Sequence, residues 1–153
     1  MTQWKTEDCA AVSLYRFFAA FAGFDAACPL GFEAECTGDA GGAVFFMEPT
    51  PYGVDRYING SRHIRTSCTV RCRVSDDDTR TRKKTASFFA ALTAYITDAG
   101  GAYTDGVREY RIRPAAYPAR IRVEDGGAVW ELRCQVEIRE KHGTKQEETS
   151  WVW

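Results

Sequence analysis

His63, Cys68 and Cys72 lie close together and are the first residues whose types could do chemistry. A histidine and two thiols can hold a metal ion, or a thiol can be activated by the imidazole as a nucleophile. The spacing opposes both uses. The segment from Ser61 to Val74 alternates as a strand does. Cys68 and Cys72 therefore fall beside Val70 on its apolar side, and His63 falls on the other. Buried cysteine behaves as a small hydrophobe, so both are read as core. Cys9, Cys28 and Cys36 are irregularly spaced, and no two of the six cysteines form a Cys-x-x-Cys pair. No metal and no disulfide is expected.

The remaining candidates are weaker. His142 stands outside any His-Glu-x-x-His pattern. Asp76-Asp77-Asp78 lacks the alternation and the glycine of a calcium loop. It suits a polar loop ahead of a helix, where negative charge meets the positive end of the helix dipole. The glycine turn Gly38–Gly42 lacks the Lys-Ser/Thr of a phosphate loop. Arg80-Thr81-Arg82-Lys83-Lys84 could meet phosphates, but beside three aspartates it reads as a solvated helix entry. No convergent catalytic set emerges, and neither an enzymatic activity nor a cofactor is expected.

The elements that position these residues follow from periodicity. Leu14, Phe17, Phe18 and Phe21 form one helical stripe within Asp8–Ala22, with Thr6 as a cap and Gly23 as a stop. Phe32–Cys36 suits a short strand, and Ala43–Met47 a buried one ended by Pro49 and Pro51. Asn59-Gly60 suits a two-residue type I′ turn between Val54–Ile58 and Ser61–Val74, giving a long β-hairpin. Asp76–Lys84 reads as a loop. Phe88, Phe89, Leu92, Tyr95 and Ile96 mark a second helix closed by Gly100-Gly101. Glu109–Arg113, Arg120–Glu124 and Ala128–Glu140 complete the strands. In the last of these Trp130, Leu132, Cys134, Val136 and Ile138 share one side.

Strands that are apolar on one side only, together with two amphipathic helices, predict an α+β fold. An antiparallel sheet carries both helices on its apolar face. Residues 1–140 are read as a single domain and 141–153 as a C-terminal tail. Trp151 and Trp153 in that tail are expected to dock on a neighbouring subunit or connector protein, with a frayed tail as the alternative.

By parity, the opposite sheet face carries Arg65, Arg71, Arg73, Arg111, Arg113, Arg120, Arg122, Arg133 and Arg139. Against these nine arginines stand Glu109, Glu124, Glu131 and Glu137, although the whole chain has a net charge of −1. Such a face is either a solvated array of cross-strand ion pairs or a surface for an acidic protein or a nucleic acid. The near-neutral total argues against attraction of the whole surface to nucleic acid or anionic membrane. The start of the chain lacks the basic and apolar runs of a signal peptide, and Leu14–Cys28 is too interrupted to span a bilayer. Folding in a cytoplasm, with reduced thiols, is the expectation.

The middle of the chain resembles the small tail-terminator (tail-completion, or minor capsid) proteins of long-tailed bacteriophages. The resemblance rests on Phe45-Phe46-Met47-Glu48-Pro49-Thr50-Pro51 and Arg56-Tyr57-Ile58-Asn59-Gly60-Ser61. The basic strand to Arg73, the helix with Phe88-Phe89 and Leu92, and the charged closing strand follow in the same order. The cysteine count and the Trp151-Val152-Trp153 end depart from the family pattern. The resemblance implies a non-catalytic virion protein of the tail or neck, assembled in the host cytoplasm without a membrane. It would form a ring with itself, usually a hexamer. The ring would cap the tail-tube protein and offer a surface to the head-connector protein, with DNA passing through the channel. Tyr57, Asn59 and Gly60 of the hairpin and the arginine face are the expected contact residues. Another head–tail connector, such as a head-completion or stopper protein, is the nearest alternative. A nucleic-acid-binding module using the arginines belongs to a different class, as does a small enzyme on the same layout.

Overall fold

The structure, a computed structural model, describes residues 10–24, 30–32, 42–48, 50–75, 78–124 and 127–140. The expectations for Thr6, Cys9, Cys28, Cys36, the glycines at 38 and 41, Asp76, Asp77, His142 and the tail with Trp151 and Trp153 lie outside these residues. So does the turn at Asp125-Gly126.

The elements run α1 (Ala10–Ala19), β1 (Leu30–Phe32), β2 (Gly42–Met47), β3 (Gly53–Arg56) and β4 (Arg62–Val74). Then come α2 (Thr79–Ala99), β5 (Tyr103–Thr104), β6 (Arg108–Pro114), β7 (Ala119–Glu124) and β8 (Gly127–Glu140). They build one eight-stranded sheet in the order β1-β2-β4-β8-β6-β5, with β3 added to β4 and β7 to β8. The fold is the α+β arrangement expected from periodicity. The two longest strands, β4 and β8, pair antiparallel from Arg62↔Glu140 to Val74↔Ala128 and form its spine. Each spine strand has two short strands along its free side. β3 covers Arg62–Arg65 and β2 covers Cys68–Arg73 of β4. β6 covers Cys134–Glu140 and β7 covers Gly127–Glu131 of β8.

Both helices lie on the apolar face. Leu14, Phe17 and Phe18 of α1 and Phe89, Leu92 and Ile96 of α2 are buried in one core with Phe45, Val70, Leu132, Val136 and Ile138. Phe18 meets Phe45 with ring centroids 5.4 Å apart, and Phe89 stacks on the half-buried Trp130. Each fully buried side chain of this size contributes about 1.5–3 kcal/mol before entropy. Tyr95 ties the helices together by donating its hydroxyl to the Phe17 carbonyl at 2.6 Å.

Four details differ from the sequence reading. α1 ends at Ala19, not Ala22. Phe21 sits in the following turn against Phe24, Phe88 and Tyr95. Gly23 is squeezed there, since a Cβ on it would come within 2.5 Å of the Phe21 ring and 3.0 Å of Phe88. α2 begins at Thr79, so Arg80–Lys84 form its first turns rather than a loop. Asp78 caps it by accepting from the Thr81 N–H at 2.8 Å. β1 spans Leu30–Phe32 and runs parallel to β2, a pairing that a three-residue strand cannot announce by periodicity. The hairpin turn is longer than two residues. Gly60 N–H donates to Tyr57 C=O at 2.9 Å and Tyr57 N–H to Ser61 C=O at 3.0 Å. The loop is therefore Ile58-Asn59-Gly60, with Gly60 at φ 90° as the left-handed residue. Asn59 Oδ1 accepts from both the N–H and the hydroxyl of Ser61, which fixes this form locally.

Candidate interaction surface

The face of the sheet away from the helices is built from the odd-numbered residues of β4, β6 and β8. Their register sets charges in rows across three strands. His63, Arg139 and Glu109 make one row, and Arg65, Glu137 and Arg111 make the next. Arg71 opposes Glu131 further along, and Arg133 opposes Thr69.

Several arginines of the expected face are held by carboxylates. Arg71 Nη2 donates to Glu131 Oε2 at 2.7 Å and its guanidinium stands 5.0 Å over the Phe46 ring. Arg65 Nη1 donates to Asp55 Oδ2 at 2.7 Å. That bond and the Asp55 charge push the Arg65 pKa further up. Arg65 also lies across β3, since a Cβ on Gly53 would collide with its guanidinium. Glu137 is shared between Arg113, at 3.8 Å, and His63 Nε2, at 3.4 Å. Asp55 was not among the acidic residues expected here. It belongs because β3 pairs with β4 at Asp55↔His63. Arg111, Arg133 and Arg139 are exposed on the same face.

One expected member is misplaced. Strict alternation puts Arg120 and Arg122 together, but a bulge at Ile121 lets β7 spend two residues against one of β8. Arg122 pairs with Val129 and stays on the charged side. Arg120 pairs with Trp130 and goes to the helix side. Arg73 pairs with Val129 on the charged side, as expected. The hairpin residues Tyr57, Asn59 and Gly60 are exposed at the opposite end of the sheet from β7.

A second charged assembly went unread in the sequence. Arg62, Glu140 and Arg108 form one row across β4, β8 and β6 on the helix side. Arg108 is 0% and Glu140 3% exposed. Arg62 Nε donates to Glu140 Oε1 at 2.6 Å, and Arg108 Nε to Glu140 Oε2 at 3.3 Å. Burial pushes the Glu140 carboxyl above its ordinary pKa even though both arginines pull it down. Asp105 adjoins this row. Its Oδ2 accepts from Ser13 Oγ of α1 and from the Tyr110 hydroxyl, each at 2.7 Å. Its Oδ1 accepts from the Val107 and Arg108 N–H groups at 2.9 and 2.7 Å. The signal for this row was parity: Arg62, Arg108 and Glu140 share it with Ile64, Tyr110 and Ile138.

A cleft of about 340 Å³ opens beside β5, lined among others by His63, Tyr103, Glu109, Arg111, Glu137 and Arg139. Its charges are mixed in sign. The thiols lie elsewhere: Cys68 and Cys134 face each other across the spine, buried with Cys72 in the core. Burial holds the Cys68 thiol well above its ordinary pKa, which keeps it protonated. Among the described residues no group of three or more His, Cys, Asp and Glu is placed to hold a metal ion. No described helix is long and apolar enough to cross a membrane.

No protein-family model matches this chain, and no curated protein matches it.

Proposed function

We propose that this chain is a structural protein of a long-tailed phage particle, a tail terminator that caps the tail tube and offers the joining surface for the head. The proposal rests on the resemblance of its central motifs. One structural observation carries it: the motif residues Arg56–Ser61 build an exposed hairpin on a sheet whose outer face is a broad, polar, charge-patterned surface. A broad face with a protruding hairpin suits contact with other proteins better than turnover of a small molecule. Arg65, Arg71 and Arg113 of that face are held by carboxylates, an arrangement of paired charges rather than of a nucleophile beside its base.

The test is a particle assembled without the protein. Tails of uncontrolled length and unjoined heads are expected in electron micrographs, and complementation by the intact gene should restore both. Tails of normal length with heads attached would overturn the reading. Loss of attachment with normal tail length would instead favour a head-completion or stopper protein. The exposed Arg111, Arg133 and Arg139 support a second reading, a nucleic-acid-binding module. That reading requires binding of DNA by the isolated protein, weakening steeply as salt is raised.

A further inference from the structure

Four strands of the sheet, β1, β3, β5 and β7, have a single partner among the described residues, and β3 and β7 lie at diagonally opposite corners. β3 pairs only with β4, over Arg62–Arg65. β7 pairs only with β8, over Gly127–Glu131, at the far end of the spine. An edge strand presents a row of backbone donors and acceptors that another strand can complete. Both edges also carry apolar side chains in the open. Val54 is 40% exposed on β3, and Val123 is 62% and Ile121 46% exposed on β7.

The directions are compatible. β3 is antiparallel to β4, β4 to β8, and β8 to β7, so β3 and β7 run antiparallel to each other. A second copy laid alongside in the same orientation therefore brings its β7 antiparallel to β3 of the first. The faces agree as well. Val54 pairs with Ile64 and Val123 with Ala128, both on the helix side. Asp55 pairs with His63 and Arg122 with Val129, both on the charged side. With Val54 opposite Val123, Asp55 comes opposite Arg122. The apolar pair then lies on one side of the junction and the opposite charges on the other.

We infer that β3 of one copy and β7 of the next form a continuous intermolecular sheet, and that this contact joins copies of the chain head to tail. β1 adds to β2 and β5 to β6 at the other two corners, so among the described residues neither strand takes the free side of β3 or β7. The β3 and β7 positions differ by about nine residues along the spine, or about 30 Å. Successive copies must therefore step obliquely to the strands. Such a head-to-tail contact gives a ring when the rotation per copy closes and a filament when it does not. The contact deepens the tail-terminator reading by supplying the subunit junction of its ring.

The experiment uses the full chain and two single variants, Val54→Lys and Val123→Lys. Both sites are exposed, so circular dichroism should show native folding. By sedimentation, wild type should form assemblies larger than a dimer, and each variant alone should associate at least tenfold more weakly. Mixed together, each variant still owns the edge that the other has lost. The mixture should form one-to-one heterodimers and nothing larger. A monomeric wild type, a variant with wild-type assemblies, or a mixture that stays monomeric would each overturn the contact. The same variants in particle assembly separate the two claims. Heterodimers in the mixture together with normal tails from either variant would sink the tail role and uphold the contact.

Discussion

Asp105 is a small residue with a large share of the polar order in this molecule. Burial raises its pKa, but the Arg108 N–H, Ser13, Tyr110 and Val107 N–H bonds outweigh that and hold it below the ordinary 3.8. A carboxyl depressed in the folded state gives stability that is complete above its unfolded pKa and is lost as pH falls through the folded one. Asp105→Asn keeps the size and removes the charge that Ser13, Tyr110 and Arg108 address. It should cost about 1.5–3 kcal/mol near neutral pH. Urea midpoints of the two proteins should stay a constant distance apart above about pH 5 and converge below about pH 4. Glu140 titrates in the opposite sense, because its folded pKa is raised and its ionisation costs stability as pH climbs. It is common to both proteins, so its effect cancels in the difference. A gap that stays constant down to pH 2 would mean that Asp105 contributes as a shape rather than as a charge.

Among the elements, the hairpin at β3–β4 shows how local chemistry chooses between close alternatives. Asn-Gly favours a two-residue turn in isolation. Here Asn59 turns its side chain to Ser61, and the loop widens by one residue with only Gly60 required to be left-handed. Gly60→Ala should therefore cost about 1–2 kcal/mol, the usual penalty for a Cβ in that region. Gly60 is exposed, so the loss should appear as faster exchange of the Tyr57 and Gly60 amides rather than as a loosened core. Unchanged exchange and stability would mean that position 60 need not be left-handed, against either form of the turn. The same comparison shows what periodicity can carry. β4, β8 and the stripes Leu14-Phe17-Phe18 and Phe89-Leu92-Ile96 were legible, because long alternating or 3.6-residue patterns average over local noise. The parallel β1, the two-residue β5 and the bulge at Ile121 were not, because each is too short to leave a period. The arginine face was therefore legible on the spine and wrong at Arg120. The buried Arg62–Glu140–Arg108 row needed the register as well as the parity, and register is a tertiary fact.

At the scale of the whole molecule the question is what the charged face is for. A chain of net charge −1 has no reason of solubility to gather arginines on one side of a sheet. Where carboxylates hold them, as for Arg71 with Glu131 and Arg65 with Asp55, the arginines stabilise the monomer modestly. Arg71→Glu would set like charges against Glu131, so any loss of assembly would be mixed with loss of folding. Arg133 is the cleaner probe. It lies on the central strand, is exposed, and stands opposite Thr69 rather than a carboxylate. Arg133→Glu should leave thermal stability within about 0.5 kcal/mol of wild type. It should also leave the β3–β7 contact intact, because position 133 belongs to neither edge. On the proposed tail-terminator role, and with the face meeting an acidic protein or DNA in the assembled particle, the variant should form wild-type oligomers yet join heads to tails at least tenfold less efficiently. The defect should ease at low ionic strength, where the remaining arginines act over a longer screening length. Wild-type oligomers with wild-type joining at physiological salt would make the face ordinary solvated surface. The joining contact would then be sought at the hairpin tip, where Tyr57 and the fully exposed Ile58 project beyond the sheet.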